Sequence, residues 1–270
     1  MRIDGKLAVV TGGAVGIGRA IAQRLAAAGA EVVVADIDVA GGRRTRELIG
    51  SSARFMRVDM RDDAAVTDLM ACQPQILVNN AGGGAVLRPC FPEASVERWS
   101  ASLELNLRAP MLTTQLALSA MRASGGGAVV NVGSTAGLGF GPHVSPEYSA
   151  AKAALIRLTA TLAPLAESHR VRVNCVVPDW VATPRGLRER AALPVAERGP
   201  ALVPLETLTA AVVRFVEDES LAGRVVLLDR GVRPRFLDSR SCLSRWLRKV
   251  RTSSGSDPGE GPDRLTTFPA

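Results

Sequence analysis

Tyr148 and Lys152 stand four residues apart, and both types are scarce: the chain has one tyrosine and only three lysines beside its many arginines. On a helix this spacing puts both side chains on one face, about one turn apart. A phenol beside an ammonium is an acid/base device. The positive charge favours phenolate and draws a group of intrinsic pKa about 10 toward working pH. Proton transfer from such a group is worth roughly 10²–10⁴-fold in rate. Pairs at this spacing also arise by chance, so the reading depends on what surrounds this one.

A second chemical signal lies near the start. Thr11-Gly-Gly-Ala-Val-Gly-Ile-Gly18 follows a short apolar run, residues 7–11, and precedes a helical stretch, residues 19–28. Glycines there permit a tight turn and close approach of backbone to a pyrophosphate, which the helix N-terminus then receives. A Gly-Lys-Ser/Thr signature is missing, so a P-loop is excluded. A tight βα turn alone would need no ligand. Asp36, however, closes the second apolar run at the interval where an acid binds an adenosine ribose. Its carboxylate accepts from a ribose 2′-hydroxyl and repels a 2′-phosphate, which favours NAD over NADP. Arg43 and Arg44 read as a solvated helix face rather than phosphate ligands.

The elements that must position these groups alternate along the chain. Strand-like runs at 7–11, 31–36, 54–58, 76–79, 128–132, 171–177 and 224–228 are separated by helical stretches at 19–28, 43–49, 96–122, around 148–152 and 205–216. The expected fold is therefore α/β: one doubly wound, Rossmann-type parallel sheet of about seven strands with helices on both faces. Four cysteines without CxxC pairing argue against zinc and against a disulfide framework. No apolar run approaches the ~18 residues of a membrane span, and residues 1–10 do not read as a signal peptide. A cytoplasmic protein is the expectation. Of the net charge of +7, a surplus of four falls after residue 232. The basic character is therefore largely a property of the tail and is a weak argument for nucleic-acid binding.

Taken in order, these motifs resemble the short-chain dehydrogenase/reductases. The chain shows TGxxxGIG as Thr11-Gly12…Gly16-Ile17-Gly18, NNAG as Asn79-Asn80-Ala81-Gly82, a helix asparagine at Asn106 and a serine strand ending at Ser134. The YxxxK pair, an Asn174…Pro178…Thr183 segment and a last strand over residues 222–229 complete the match, which spans residues 3 to 232. The resemblance implies a single oxidoreductase domain, residues 1–232, acting on a secondary alcohol/ketone pair. It implies catalytic roles for Asn106, Ser134, Tyr148 and Lys152: Tyr148 as general acid/base, Lys152 tuning it and holding the nicotinamide ribose, Ser134 holding the substrate oxygen, and Asn106 supporting a water. Cofactor contacts are implied at Gly12, Gly16, Ile17, Gly18, Asp36, Asp59, Asn80, Ala81, Gly82, Tyr148, Lys152, Val181 and Thr183, and no metal is implied. A homodimer or homotetramer built on two long helices is implied as well. The competing class is a dinucleotide-binding sensor or scaffold of the same fold without turnover.

The chain also departs from the pattern. Asp179 stands where the family has glycine and puts a carboxylate near the nicotinamide face, or is simply an exposed loop acid. Arg230 interrupts a familiar Asp-Gly-Gly, and Pro164 should kink or end the helix carrying Tyr148. Substrate specificity is expected from residues 183–204, whose arginines at 185, 188, 190 and 198 suit an anionic substrate or a carrier-bound acyl chain, with a solvated surface the favoured reading. Trp180 and residues 87–91 are expected on an apolar wall; His143 lies in the active-site loop, where a solvent-facing position is favoured over contact with substrate. The tail, residues 233–270, reads as a basic amphipathic segment (Leu243, Trp246, Leu247, Val250) followed by a disordered end. A simple appendage is favoured there over a membrane-surface contact.

Overall fold

A computed structural model describes residues 1–83, 88–139 and 141–237. The chain divides into a compact unit, Met1–Phe236, and a second unit, Leu237–Ala270, of which only Leu237 is described. The amphipathic segment expected around Trp246 thus lies outside the described residues.

Eight strands form one sheet in the order β3-β2-β1-β4-β5-β6-β7-β8. They are β1 (Leu7–Thr11), β2 (Glu31–Asp36), β3 (Ala53–Arg57), β4 (Ile76–Asn79), β5 (Gly127–Val132), β6 (Val171–Pro178), β7 (Val225–Leu228) and β8 (Arg235–Leu237). Neighbours from β3 through β7 pair in parallel. The sheet is one strand larger than expected. β8 is a three-residue element in sequence that carries no apolar run, so periodicity does not announce it.

Parallel strands covered on both faces must be apolar at every position, and here successive residues of one strand feed opposite layers. Ala8 and Val10 join Val32, Val34, Ile76 and Val78 in one layer. That layer packs on α1 (Gly16–Ala27) and α9 (Leu205–Glu217) through Ile21, Leu25, Leu208, Val212 and Phe215. Val9, Val33 and Leu77 face the other layer, with Leu69 of α3 (Asp63–Met70) and Met121 of α5 (Ala109–Ala123). Each such side chain contributes about 1.5–3 kcal/mol relative to exposure. Short helices α2 (Val39–Ile49), α7 (Leu165–Ser168) and α8 (Pro184–Ala192), with α4 (Val96–Leu103) and α6 (Pro146–Thr161), complete the unit. Pro164 acts as anticipated: α6 stops at Thr161 and a separate turn, α7, follows.

The long helix expected over 96–122 is interrupted. Between α4 and α5 the backbone widens into a π turn, Glu104–Arg108, in which the Ala109 N–H reaches back to Glu104. The cause is Pro110, which has no N–H to give to the Asn106 carbonyl four residues earlier. Hydrophobic spacing is blind to this. Asn79 and Asn131 are among the polar side chains buried within the sheet. Asn79 on β4 donates to Asn131 on β5 at 2.9 Å and accepts from Thr113 of α5 at 2.7 Å. Asn131 in turn donates to Thr159 of α6 at 2.9 Å. The chain of four ties both helices to adjacent strands.

Arg172, almost fully buried on β6, caps the end of α9. It donates to the carbonyls of Phe215 (2.6 Å), Val216 (2.6 Å) and Asp218 (2.9 Å). These are terminal helix acceptors that have no partner within the helix. Arg172→Met should lower unfolding free energy by about 2–4 kcal/mol, since several buried carbonyls lose a charged donor together; urea denaturation measures this directly.

Candidate active site

The strand order reverses between β1 and β4, and a cleft of about 1220 Å³ opens there and along the carboxyl ends of the strands. Open α/β sheets bind ligands at such a reversal. All the positions for which the resemblance implies a catalytic role or a cofactor contact line this cleft except Asn106.

At one end the β1–α1 loop is pressed against the end of β4. A side chain at Gly12 (φ +65°) would come within 2.8 Å of the Ala81 backbone, and one at Gly18 within 2.0 Å of the Gly12 carbonyl. Asn80 fixes the arrangement by donating to the carbonyls of Thr11 (3.0 Å) and Gly12 (2.9 Å). Its amide therefore shapes the cleft instead of projecting into it. The start of α1 has no side-chain cap, unlike α2, α3, α4 and α8, which are capped by Asp38, Asp62, Ser95 and Thr183. Its first N–H groups and dipole face the cleft unneutralised.

Asp36 sits at the end of β2 with its carboxylate held by the Ala14 N–H (2.9 Å) and the Asp38 N–H (3.0 Å). Each oxygen keeps lone-pair capacity toward the cleft. Asp59 does not cap the next helix; Asp62 does. Arg61 instead grips Asp59 with two bonds of 3.0 and 2.7 Å, and this contact is the largest cause holding the carboxyl below its ordinary range. Arg43 and Arg44 lie off the cleft wall, Arg44 paired with Glu47 on the helix surface.

Ser134, Tyr148 and Lys152 converge at the centre of the cleft. Lys152 is 4% exposed; its Nζ donates to the Val132 carbonyl at 2.9 Å and lies 5.7 Å from the Tyr148 ring centroid. Burial lowers the Lys152 ammonium to about 8. Burial also raises the Tyr148 phenol, while the nearby Ser134 side chain pulls it the other way. The phenol thus stands above its ordinary value and not below it as expected, because desolvation outweighs the Ser134 hydrogen bond. Ser149 of α6 donates to the Ala136 carbonyl at 2.7 Å, securing the Ser134 loop to the helix that carries Tyr148.

Asn106 lies beneath the wall, fully buried at the π turn. Its side chain accepts from the Gly83 N–H at 3.0 Å and donates to the Gly83 and Ser102 carbonyls at 2.9 Å each. A side chain at Gly82 would come within 2.7 Å of the Asn106 amide oxygen and 3.3 Å of Lys152 Nζ. Only a glycine backbone fits between them.

On the remaining wall, Val181 pairs with Val203 as an isolated bridge, and the Thr183 hydroxyl accepts from the Gly186 N–H at 3.0 Å. Trp180 lines the cleft; Leu87 lies outside the described residues and residues 88–91 do not contribute. His143 is not a solvent-facing residue. It lines the cleft and stacks on Tyr148, with centroids 6.2 Å apart. Of the arginines of 183–204, Arg185 and Arg188 are exposed, as expected of a solvated face, whereas Arg190 and Arg198 are half-buried and brace this segment. Arg185 pairs with Glu189 at 2.7 Å, Arg190 donates to the Arg198 and Gly199 carbonyls, and Arg198 donates to those of Leu193 and Ala191. Arg188 lines the cleft. The roles of Arg61, Thr135 and Arg230 went unread in sequence, because each depends on a partner that spacing does not reveal.

Residues 6–192 match the family model described as short chain dehydrogenase. The chain is 34% identical over 242 residues to cis-4-hydroxycyclohexanecarboxylate dehydrogenase of Sinomonas cyclohexanicum, covering 84% of this chain and 96% of that protein. It is 34% identical over 224 residues to mouse (3R)-3-hydroxyacyl-CoA dehydrogenase, covering 76% and 84% respectively. Among solved structures, a short chain dehydrogenase/reductase family protein superposes with a TM-score of 0.74 at 33% identity over 85% of this chain and 97% of its own. A putative short-chain dehydrogenase/reductase from Burkholderia xenovorans gives 0.75 at 30% identity, over 84% and 96%. With the cleft geometry, these similarities establish that the chain belongs to the short-chain dehydrogenase/reductase family of oxidoreductases.

Proposed function

We propose that the cleft takes NAD in preference to NADP and oxidises a secondary alcohol or reduces the matching ketone, with Tyr148 as general acid/base. The observation that carries this reading is the meeting of Ser134, Tyr148 and Lys152 in one cleft whose other end holds the uncapped α1 terminus and Asp36. The residues present fit a dinucleotide. Gly12 and Gly18 let the β1–α1 loop close tightly against the end of β4, free N–H groups suit a pyrophosphate, and the Asp36 carboxylate suits a ribose diol. When bound, the dinucleotide would accept or supply the hydride at the substrate carbon.

The chain's own residues supply binding, orientation and the proton. Tyr148 gives its phenolic proton to the carbonyl oxygen in reduction, or takes the hydroxyl proton in oxidation. Ser134 holds the same oxygen by a hydrogen bond, and Lys152 supports the phenolate by charge. The flanks of the cleft, with Gly16, Ile17, Ala81, Gly82, Val181 and Thr183, would enclose the remainder of the dinucleotide. Asn106 acts from below, by fixing the Gly82–Gly83 backbone against Lys152.

The similarity to proteins named as a hydroxycyclohexanecarboxylate dehydrogenase and a hydroxyacyl-CoA dehydrogenase supports a hydroxyl-bearing substrate. The reading includes a small-molecule alcohol or ketone as the partner, a cytoplasmic setting and self-association as a homodimer or homotetramer through two long helices; α5 and α6 are the longest. Met111, exposed on α5, supports the last point. Among the described residues no helix is long and apolar enough to cross a membrane.

Tyr148→Phe should lower kcat by roughly 10²–10⁴-fold while leaving NADH affinity nearly unchanged, since only the phenolic proton is removed; steady-state assay and fluorescence titration separate the two. Asp36→Ala should raise the KM for NADH by roughly tenfold or more and relax discrimination against NADPH; the ratio of kcat/KM for the two cofactors reports it.

Lys152 gives a third expectation, with a definite sign. Its pKa falls from 10.5 unfolded to about 8 folded, so between those values the unfolded chain binds more protons and stability rises with pH. The cost of burying the charge is fully present below about pH 8 and is relieved toward 10.5. Lys152→Met should therefore stabilise the protein near pH 7 by up to about 3 kcal/mol and remove that rise, while abolishing turnover. Denaturation at pH 7 and again above pH 9 tests it.

A further inference from the structure

Asp179 and Arg230, which stand where the family pattern has glycine, find each other in the folded chain. Pro178 and Leu228 are register partners on β6 and β7, so the residues that follow them emerge side by side although the pair is 51 positions apart in sequence. Arg230 Nε donates to Asp179 Oδ2 at 2.7 Å, and the two side chains are only 28% and 18% exposed. The other carboxylate oxygen accepts from Thr135 Oγ1 at 3.3 Å, and Thr135 directly follows Ser134. The guanidinium lies 5.8 Å from the Trp180 ring centroid. Asp179, Thr135 and Trp180 line the cleft and Arg230 does not. The acid thus faces the ligand space and the base backs it.

A bare carboxylate on this wall would have a definite consequence. The oxidised nicotinamide ring carries a positive charge that the reduced ring lacks, so the carboxylate would hold the oxidised form more tightly. Bonded to a guanidinium at 2.7 Å, it presents a short dipole whose field falls off steeply instead. Glu189, the other acid at this end of the cleft, is likewise held by Arg185. Removing Arg230 would leave Asp179 the one unpaired acid there among the described residues.

We propose that Arg230 sets the balance between oxidised and reduced cofactor by neutralising Asp179 on the cleft wall. This rests on reading the cleft as a nicotinamide site. Arg230 acts through Asp179 and is a positioning residue, with the Ser134 loop and Trp180 as its other dependents.

The test is a pair of dissociation constants, for NAD⁺ and NADH, measured by fluorescence titration in the wild type, R230M, D179N and D179N/R230M. R230M should tighten NAD⁺ relative to NADH by roughly 3–10-fold, the effect of one unit charge at the effective dielectric of a partly shielded site. D179N leaves an unpaired guanidinium and should move the ratio the other way. The double variant should return it close to the wild-type value. Thermal unfolding establishes that each variant is folded, and D179N alone carries the sign should R230M be unstable. If both single variants change the two affinities by a common factor, the pair is only a brace and the proposal fails. A wild type that binds neither dinucleotide defeats the underlying reading of the site as well.

Discussion

Hydrocarbon covers both faces of the sheet, and this decides where chemistry can occur. Between β3 and β7 the strands run between two apolar layers, so a polar side chain along their length must find its partner inside the protein. Asn79 and Asn131 meet that demand through Thr113 and Thr159. Arg172 and Asn174 on β6 do the same, and the cleft-lining residues of the sheet lie where its strands stop. Asp36, Ser134, Asp179 and Val181 sit at or just beyond strand ends, and Lys152 reaches the carbonyl of the last residue of β5. The cleft is the place where the two layers part.

Burial of Lys152 shows how such a site sets stability against function. An ammonium with one hydrogen bond to a carbonyl, under a phenol and beside the thiol of Cys175, is a destabilising element. The cost falls on the unliganded protein. It is tolerable because the surrounding strands are packed well enough to hold the charge in place, with Gly82 and Asn106 allowing no slack on the other side. Burial pushes the phenol and the ammonium toward their neutral forms together. A lysine at the right spacing, which is what the sequence alone suggested, therefore does not by itself lower the Tyr148 phenol.

Local patterns carried much of the architecture. Apolar runs of strand length alternating with helical stretches pointed to a doubly wound sheet, and the spacings around Gly12–Gly18 and Tyr148–Lys152 located the cleft. Legibility ended where a residue's state depends on something distant or on one backbone group. The π turn at Asn106 follows from a missing N–H at Pro110, a detail that hydrophobic periodicity averages away. Arg61 beside Asp59, Arg230 beside Asp179, and the lid arginines on main-chain carbonyls are all cations whose partners are chosen by the fold. Composition presents each as one more surface charge. His143 is a like case: its place in the active-site loop left exposure and cleft contact as alternatives, and only the fold turns it onto Tyr148.

The two buried asparagines also answer a question of alignment. β4 and β5 are parallel, short and nearly uniform in Val, Ile, Leu and Ala, so apolar contacts alone would distinguish one register from another only weakly. Asn79 faces Asn131 in the observed pairing. Sliding the strands by one residue would turn one amide into the opposite layer, and sliding by two would set each amide against hydrocarbon. Either slip leaves buried polar atoms unmet. The amides therefore act as a vernier between the halves of the sheet, fixing to within a residue how far β5 extends beyond β4. Because the Val132 carbonyl and Ser134 lie just beyond that point, the level at which Ser134 and the Lys152 contact enter the cleft is set by two side chains buried within the sheet.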